Sequence, residues 1–468
     1  MSIKKGIVYV FIANVINLII SLFTGFVLPK ILSIETYSSI KLFQLYITYI
    51  GVVSLGFADG MYLRIGGKNL ENINKEEVQQ EFKTFKIFQL LVTILAIVVS
   101  IILKNEMLLF CSLVILPINI GNYLRQVYQA IGLFKKYSNF MNINTLLIFF
   151  INLILLFIVK TDNPQIYIIC YIIAYIIYWI IIERETTKIF GKRKVKADKK
   201  FLFEDIKNGF LLLIGNFCNV IFTGIDRIFV QNLLGSIKFA FYSFAVSVEN
   251  LMNVFIAPIS TVMYNYLCNN KSKEQIINLK NMILLFASVV VVAIFPAKFI
   301  VEIWLQKYLD SLDVLFLLFA AQCITILVRC VHVNLYKAEK KQNRYFIIMM
   351  AVVVLSIILN ILLFVLIGTM EAIALATLIT SIVWFIIGEI DFKEYRMKAK
   401  NYIYIFLSIF TFLICGKMGN TILACLIYMA IIFIFMNILM RNTLKNALCE
   451  VKNFINEWKR KKHIGEEK

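Results

Sequence analysis

Fourteen predominantly apolar runs follow one another along this chain, at roughly 6–28, 38–58, 85–103, 107–131, 140–159, 165–183, 206–230, 239–262, 282–304, 313–335, 345–367, 370–390, 402–416 and 419–440. A helix that crosses the hydrocarbon core needs about 20 such residues, and only helices or closed barrels satisfy their own backbone there. All but the thirteenth run are long enough. Composition agrees, since 60% of the 468 residues are hydrophobic and 16% are charged, whereas soluble domains are about half apolar and a quarter charged. The chain reads as an all-α polytopic membrane protein. Its first run is too long for a signal-peptide core and lacks a convincing cleavage site, so it is expected to stay as an anchor.

The net charge is +20, but the basic residues lie between apolar runs and not on one folded face, which argues against a nucleic-acid partner. With the N-terminus placed in the cytoplasm, 37 of the 48 Lys and Arg fall on cytoplasmic segments and eight on outer loops. The other three, Arg125, Arg227 and Arg329, fall within spans. By the positive-inside rule both termini are expected to be cytoplasmic. The longest polar pieces are a linker near 184–205 and the basic tail 441–468. The linker's GKRKVKADKK run fixes topology or holds anionic headgroups.

A duplication shows at an offset near 202–204 residues. Asn14, Asn17, Ser21 and Thr24 in the first span recur as Asn216, Asn219, Thr223 and Asp226 in the seventh, each 202 positions later. That spacing places all four on one helix face. Leu124-Arg125, Lys136 and Asn139 match Val328-Arg329, Lys340 and Asn343 at an offset of 204. The expected organisation is two homologous six-helix halves, 1–200 and 201–400, around a central cavity, then two further helices over 401–440 and the tail 441–468. An even number of spans per half gives both halves the same orientation, and transporters with repeats place their substrate site where the repeats meet.

Charged groups within spans are costly and usually face a cavity or a partner. Arg125 has Asn122 and Gln129 on its face, and Arg329 has Gln322, Thr325 and His332. Both arginines are expected at similar depth, roughly 12–15 Å from the helix end. Together they form a cationic clamp suited to phosphate or pyrophosphate, or each snorkels to the headgroups. Glu249, with Asn250 and Asn253 nearby, carries a coupling proton or serves as a structural partner. Asp226 belongs to the polar stripe and is the second candidate for ion coupling, while Asp59 reads as an interfacial helix terminus. The nine cysteines contain no CxxC pair and the two histidines, His332 and His463, form no cluster, so no metal, cofactor or disulfide framework is expected. A Walker A loop and a nucleophile elbow are both missing. The chain is expected not to be an enzyme, and transport would draw on H+, Na+, the membrane potential or the substrate's own gradient.

These residues resemble the Wzx-type polysaccharide flippases of the MOP superfamily, which also holds multidrug MATE exporters and the lipid II flippase. The resemblance covers nearly the whole chain. It rests on FVLPKILSIETYSSI after the first span, GFADG closing the second, DRIFVQNLLGSIKFAFYSFA across the seventh and eighth, and the arginine, tyrosine and lysine that end the fourth and tenth. TMEAIALATLIT, with Glu371, departs from the glycine-rich helix start usual in that family, and fourteen spans exceed the twelve common among O-antigen flippases. The resemblance implies a bacterial cytoplasmic-membrane protein that moves an undecaprenyl-pyrophosphate-linked oligosaccharide to the outer leaflet by alternating access. Its implied partners are that glycan, membrane lipids, and a polysaccharide polymerase and glycosyltransferases. A MATE-type ion-coupled exporter should instead place carboxylates in the cavity. A membrane-embedded glycan-assembly enzyme should carry a sizeable outer loop, and a scaffold should tolerate loss of both arginines.

Overall fold

A computed structural model describes residues 3–68, 70–191, 195–269 and 272–449, with side chains from Val15 onward except at 254, 255, 257, 258, 261, 262, 265 and 269. Among these residues eleven helices are long and apolar enough to cross a membrane, or twelve if one bent pair counts as a span. The difference from fourteen has two sources. In the first helix only Val15–Ile31 can be judged, and it is short. The seventh and eighth runs share one 52-residue element that Gly235 divides, with φ 81° and ψ −179°.

The chain separates into two compact units, 1–243 and 244–468. The first contains α1 (Ile3–Ile31), α2 (Ile34–Thr48), α3 (Phe57–Ile65), α4 (Lys75–Ile102), α5 (Glu106–Leu113), α6 (Ile115–Ala130), α7 (Phe134–Leu153), α8 (Pro164–Phe190) and most of α9 (Lys199–Asn250). The second contains α10 (Asn253–Asn269), α11 (Lys273–Val290), α12 (Ile294–Trp304), α13 (Leu312–Leu327), α14 (Val333–Ala338), α15 (Gln342–Ile367), α16 (Met370–Asp391), α17 (Ala399–Gly416) and α18 (Thr421–Leu439).

Short polar loops between the apolar runs supply the caps that start these helices. Ser33 accepts from Thr36 N, Asn74 from Glu76 and Glu77, Asn105 from Leu108, Asn163 from Gln165, Ser272 from Gln275 and Asn420 from Leu423. Each side chain satisfies backbone donors that the first helical turn leaves free. Around Asn74 the cap is reciprocal, because its amide also donates to Glu77 Oε1 at 3.0 Å.

In the first unit α6 packs against α4, α7 and α8, and in the second α13 packs against α11 and α16. α13 is the innermost helix of its unit, with every residue from Val314 to Leu327 except Leu317 buried. One internal pairing repeats. Tyr128 on α6 meets Thr186 on α8, hydroxyl to hydroxyl, at 2.6 Å. His332 and Glu389, 204 and 203 positions later, meet at 2.9 Å. The extra helices α17 and α18 belong to the second unit. Lys298 donates to Gly416 O and Met418 O at 3.0 and 2.7 Å, closing the carbonyl end of α17.

A close helix crossing lies between α3 and α9. A Cβ on Gly209 would stand 1.9 Å from Gly56 O and 2.4 Å from Gly60 N, and one on Gly60 would stand 2.0 Å from Asp205 O. Backbones touch here because no side chain intervenes, as at other membrane helix contacts built from small residues. Gly209→Ala is expected to lower the melting temperature in detergent by the equivalent of about 1–3 kcal/mol. Gly215→Ala, six residues on with nothing within 4 Å of its Cβ, should melt at or slightly above wild type through helix propensity.

The second unit is pinned by a buried ion cluster. Lys280 on α11 donates to Glu389 on α16 and to Tyr395 O at 2.9 Å. Glu389 also receives the Tyr402 hydroxyl at 2.5 Å. Removing one partner strands the other charge in the interior, at about 3–5 kcal/mol. Lys280→Met should therefore destabilise the protein strongly, and the Lys280→Met, Glu389→Gln double variant should recover a substantial part of the loss. Additive losses in a thermal double-mutant cycle would count against this reading.

Candidate functional site

The helix break between α2 and α3 builds the site. α2 and the 3-10 turn Ile50–Ser54 meet α3 at a bend of 60°. Leu55 and Gly56 both take left-handed conformations there, with φ 52° and 82°. The turn's carbonyls are taken up by side chains from neighbouring helices. Asn119 on α6 donates to Ile50 O, and Gln89 on α4 donates to Val53 O, both at 3.4 Å, while the Asn119 amide donates to Gln89 Oε1 at 2.7 Å.

Beside this break lies a cavity of about 230 Å³ within the first unit. Gly51, Val52 and Ser54 form its floor, Asp59 comes from α3, Asn119, Asn122, Arg125 and Gln126 from α6, and Asn216 from α9. Leu213, Phe217 and Val220 complete an apolar side. The guanidinium of Arg125 donates to Asn122 Oδ1 at 2.9 Å, one turn away on its own helix. Among the described residues Arg125 has no ion pair, and Asp59 in the same cavity has neither an ion pair nor a hydrogen bond. The Gln126 Oε1 is buried without a hydrogen-bond partner among the described residues. The cavity thus offers a guanidinium and a carboxyl group that meet no opposite charge among the described residues, and four amides of which Gln126 keeps an unpartnered oxygen.

The other expected site residues are distributed as follows. The Asn14 side chain lies outside the described residues. Asn17 has a buried Oδ1 with no hydrogen-bond partner among them. Asn219 is exposed and Gln129 half-buried, and neither lines this cavity. Asp226 is buried and committed to local bonds, accepting from Tyr242 at 2.9 Å and from Arg227 N at 2.8 Å.

In the second unit Arg329 sits in a π-turn, Val328–His332, a local irregularity often found at functional positions. Its guanidinium donates to Asn253 Oδ1 at 2.9 Å. Gln322 donates to Glu249 Oε1 at 2.6 Å, just before the α9–α10 break at Leu251 and Met252. Glu249 therefore has the Gln322 amide among its partners, while Asn253 accepts from Arg329. His332 is 1% exposed. Its Nε2 faces Glu389, and a Cβ on Gly388 would lie 2.4 Å from its Nδ1. The histidine is enclosed by the ion cluster of that unit.

Two features escape a reading by sequence alone. Asp59 stands in the first turn of α3 and lines the cavity, a role hidden because the helix break that turns it inward is not evident in an apolar run. The second is an ion cluster in which Arg64 on α3 reaches Glu81 on α4 and Asp205 on α9, the latter at 3.2 Å, with both acids fully buried. One sequence sign was available. Val78, Glu81, Phe85 and Gln89 follow one buried face of α4, so the glutamate occupies a core position of an otherwise amphipathic first half.

No protein-family model matches this chain, and no curated protein matches it in sequence. Solved structures match it in fold. That of the lipid II flippase MurJ in an inward closed conformation gives a TM-score of 0.66 at 16% identity, covering 94% of this chain and 100% of that one. An outward-facing multidrug resistance MATE family transporter of the MOP superfamily gives 0.54 at 12% identity, covering 84% and 96%. A MATE structure in complex with MaD5 gives 0.54 at 12%, covering 86% and 96%. The chain is thus a multi-pass membrane protein with the helical fold that the MurJ flippase and the MATE transporters share.

Proposed function

We propose that this protein is a flippase that carries an undecaprenyl-pyrophosphate-linked oligosaccharide from the inner to the outer leaflet of a bacterial cytoplasmic membrane. The observation that carries this reading is the unpaired Arg125 guanidinium in a cavity walled by Asn119, Asn122, Gln126 and Asn216. A planar fork of donors suits a pyrophosphate, and amides suit sugar hydroxyls. Arg329, with Gln322 beside it in sequence, is the matching cation of the second half in this proposal, and the lipid tail stays in the bilayer. Both termini face the cytoplasm, as the Lys and Arg distribution indicates. Alternating access between two repeated halves exposes the headgroup outside. An inside-negative potential assists an anion moving outward by about 2.3 kcal/mol per charge per 100 mV. A polymerase and glycosyltransferases for the same glycan are its expected neighbours.

A second reading, an ion-coupled small-molecule exporter of the MATE type, is favoured by one observation. Asp59 places a carboxylate in the same cavity, which is the charge a cationic substrate would seek.

Proteoliposomes carrying a fluorescent polyprenyl-pyrophosphate oligosaccharide separate the two, with an impermeant quencher reporting the far leaflet. Wild type should exchange the probe well above empty liposomes. Arg125→Ala should slow exchange by about 10- to 100-fold, the loss expected when a charge-assisted hydrogen bond of about 1.5–3 kcal/mol is removed. Adding Arg329→Ala should slow it further. Exchange unchanged in the double variant would remove the arginines from the mechanism, and no exchange in wild type would favour the exporter.

A further inference from the structure

The cluster on α3, α4 and α9 contains more acid than base. Arg64 donates to Glu81 Oε2 and to Asp205 Oδ2 through the same terminal nitrogen, and to Asp205 Oδ1 through Nε. Two carboxyl groups therefore converge on one guanidinium, and both accept from its Nη2. Both are 0% exposed, while Arg64 keeps 25% of its side chain open. Among the described residues the groups facing them include Arg64 on α3, Tyr123 on α6, and Glu204 beside Asp205 on α9. Phe201 covers the guanidinium face at 5.1 Å. On the α8 side Lys86 and Glu183 pair with each other at 2.6 Å.

With both acids ionised the cluster has a net charge of −1 away from water, an arrangement that burial strongly disfavours. Two carboxylates also cannot hydrogen-bond each other, since both are acceptors only. Glu81 Oε1 has no hydrogen-bond partner among the described residues. A single proton on the pair removes the net charge and gives one acid a hydrogen to donate to the other.

We propose that Glu81 and Asp205 hold one proton between them, and that its gain and loss is the ion step that governs how α9 packs on α3 and α4. Protonated, the cluster is neutral overall and holds α9 through Asp205. Deprotonated, the repulsion between Glu81 on α4 and Asp205 on α9 opposes the link that Arg64 makes between those helices. Arg64 then keeps Glu81 as its counter-ion while Asp205 is free to leave, so no buried charge is stranded. The proton exchanges with water past the open side of Arg64. This inference concerns energy coupling and does not depend on which lipid-linked or small molecule is carried.

Infrared difference spectroscopy on the full-length protein in liposomes, titrated in H2O and D2O, tests it without any transported molecule. Wild type should show a protonated-carboxyl stretch that titrates, and Glu81→Gln and Asp205→Asn should each remove it. Each single variant leaves Arg64 with one carboxylate, so each should melt close to wild type, whereas the double variant strands the guanidinium and should melt lower. A band that persists in both single variants, or no titrating band in wild type, overturns the proposal. So does a strong loss of stability in each single variant, because it would mean that both acids are ionised partners. An imposed pH gradient then reads the coupling. With one proton moved per cycle, the wild-type leaflet ratio of the fluorescent oligosaccharide shifts about tenfold per pH unit, and the Glu81→Gln ratio does not shift. Equal shifts in both proteins would overturn the coupling step. If the probe is not flipped at all, the infrared result still decides the proton site, and only the substrate reading falls.

Discussion

A helix in hydrocarbon can break only where something takes over the carbonyls it releases, and in this protein Gln89 and Asn119 do so. Their side chains hold each other and reach Ile50 O and Val53 O, so the turn Ile50–Ser54 survives in an apolar surround. The rest of the first unit's cavity follows from that break. The bend aims α3 away from the α2 axis, brings Asp59 to the cavity wall, and exposes the backbone of Gly51 and Val52 as its floor. It also lets Gly56 and Gly60 meet Gly209 with no side chain between them. A cavity made this way has a polar lining in which Asn119, one of the two amides that stabilise the turn, also faces the space beside it.

The two units use similar helix pairings to opposite electrical ends. Tyr128 with Thr186 is a neutral hydroxyl pair, whereas His332 with Glu389 sits at the matching places as part of a charged cluster completed by Lys280. The arginines differ too. Arg125 is held only by Asn122 on its own helix, while Arg329 is held by Asn253 across a helix break and sits in a π-turn whose other residues are buried. The two units thus fill comparable helix pairings differently, which leaves the first unit with the less committed cation.

The fold was largely legible because hydrophobicity and capping residues are local properties. Apolar runs long enough to span, separated by Ser and Asn caps such as Ser33, Asn74 and Asn420, determine where helices start. The site was legible only in part, because it depends on contacts between distant helices. Arg125 stands out as a charge in an apolar run, and Asn122 and Asn216 follow from helix periodicity. Asp59 does not, since its orientation comes from a bend that Leu55 and Gly56 set through left-handed backbone. Asp226 looked like a cavity residue by face, yet Tyr242 from the far side of Gly235 takes its carboxylate. Glu81 and Asp205 lie 124 positions apart, and no local pattern joins them.

What separates structural charges from working ones in such a chain is the state of their partners. Lys280 with Glu389, and Lys298 with the end of α17, are saturated by fixed protein groups, and burial then makes them rigid. Arg125 and Asp59 share one cavity without meeting any opposite charge among the described residues, so their hydration or a ligand must carry the electrostatic load. The Arg64 cluster lies between these limits. Its guanidinium has two counter-ions where one would balance it, so the surplus is felt as repulsion between helices and not as exposed charge. Mismatched charge in a low-dielectric interior is a source of force, and here it is placed where Arg64 ties α4 to α9, beside the close backbone contact of Gly209 with Gly56 and Gly60.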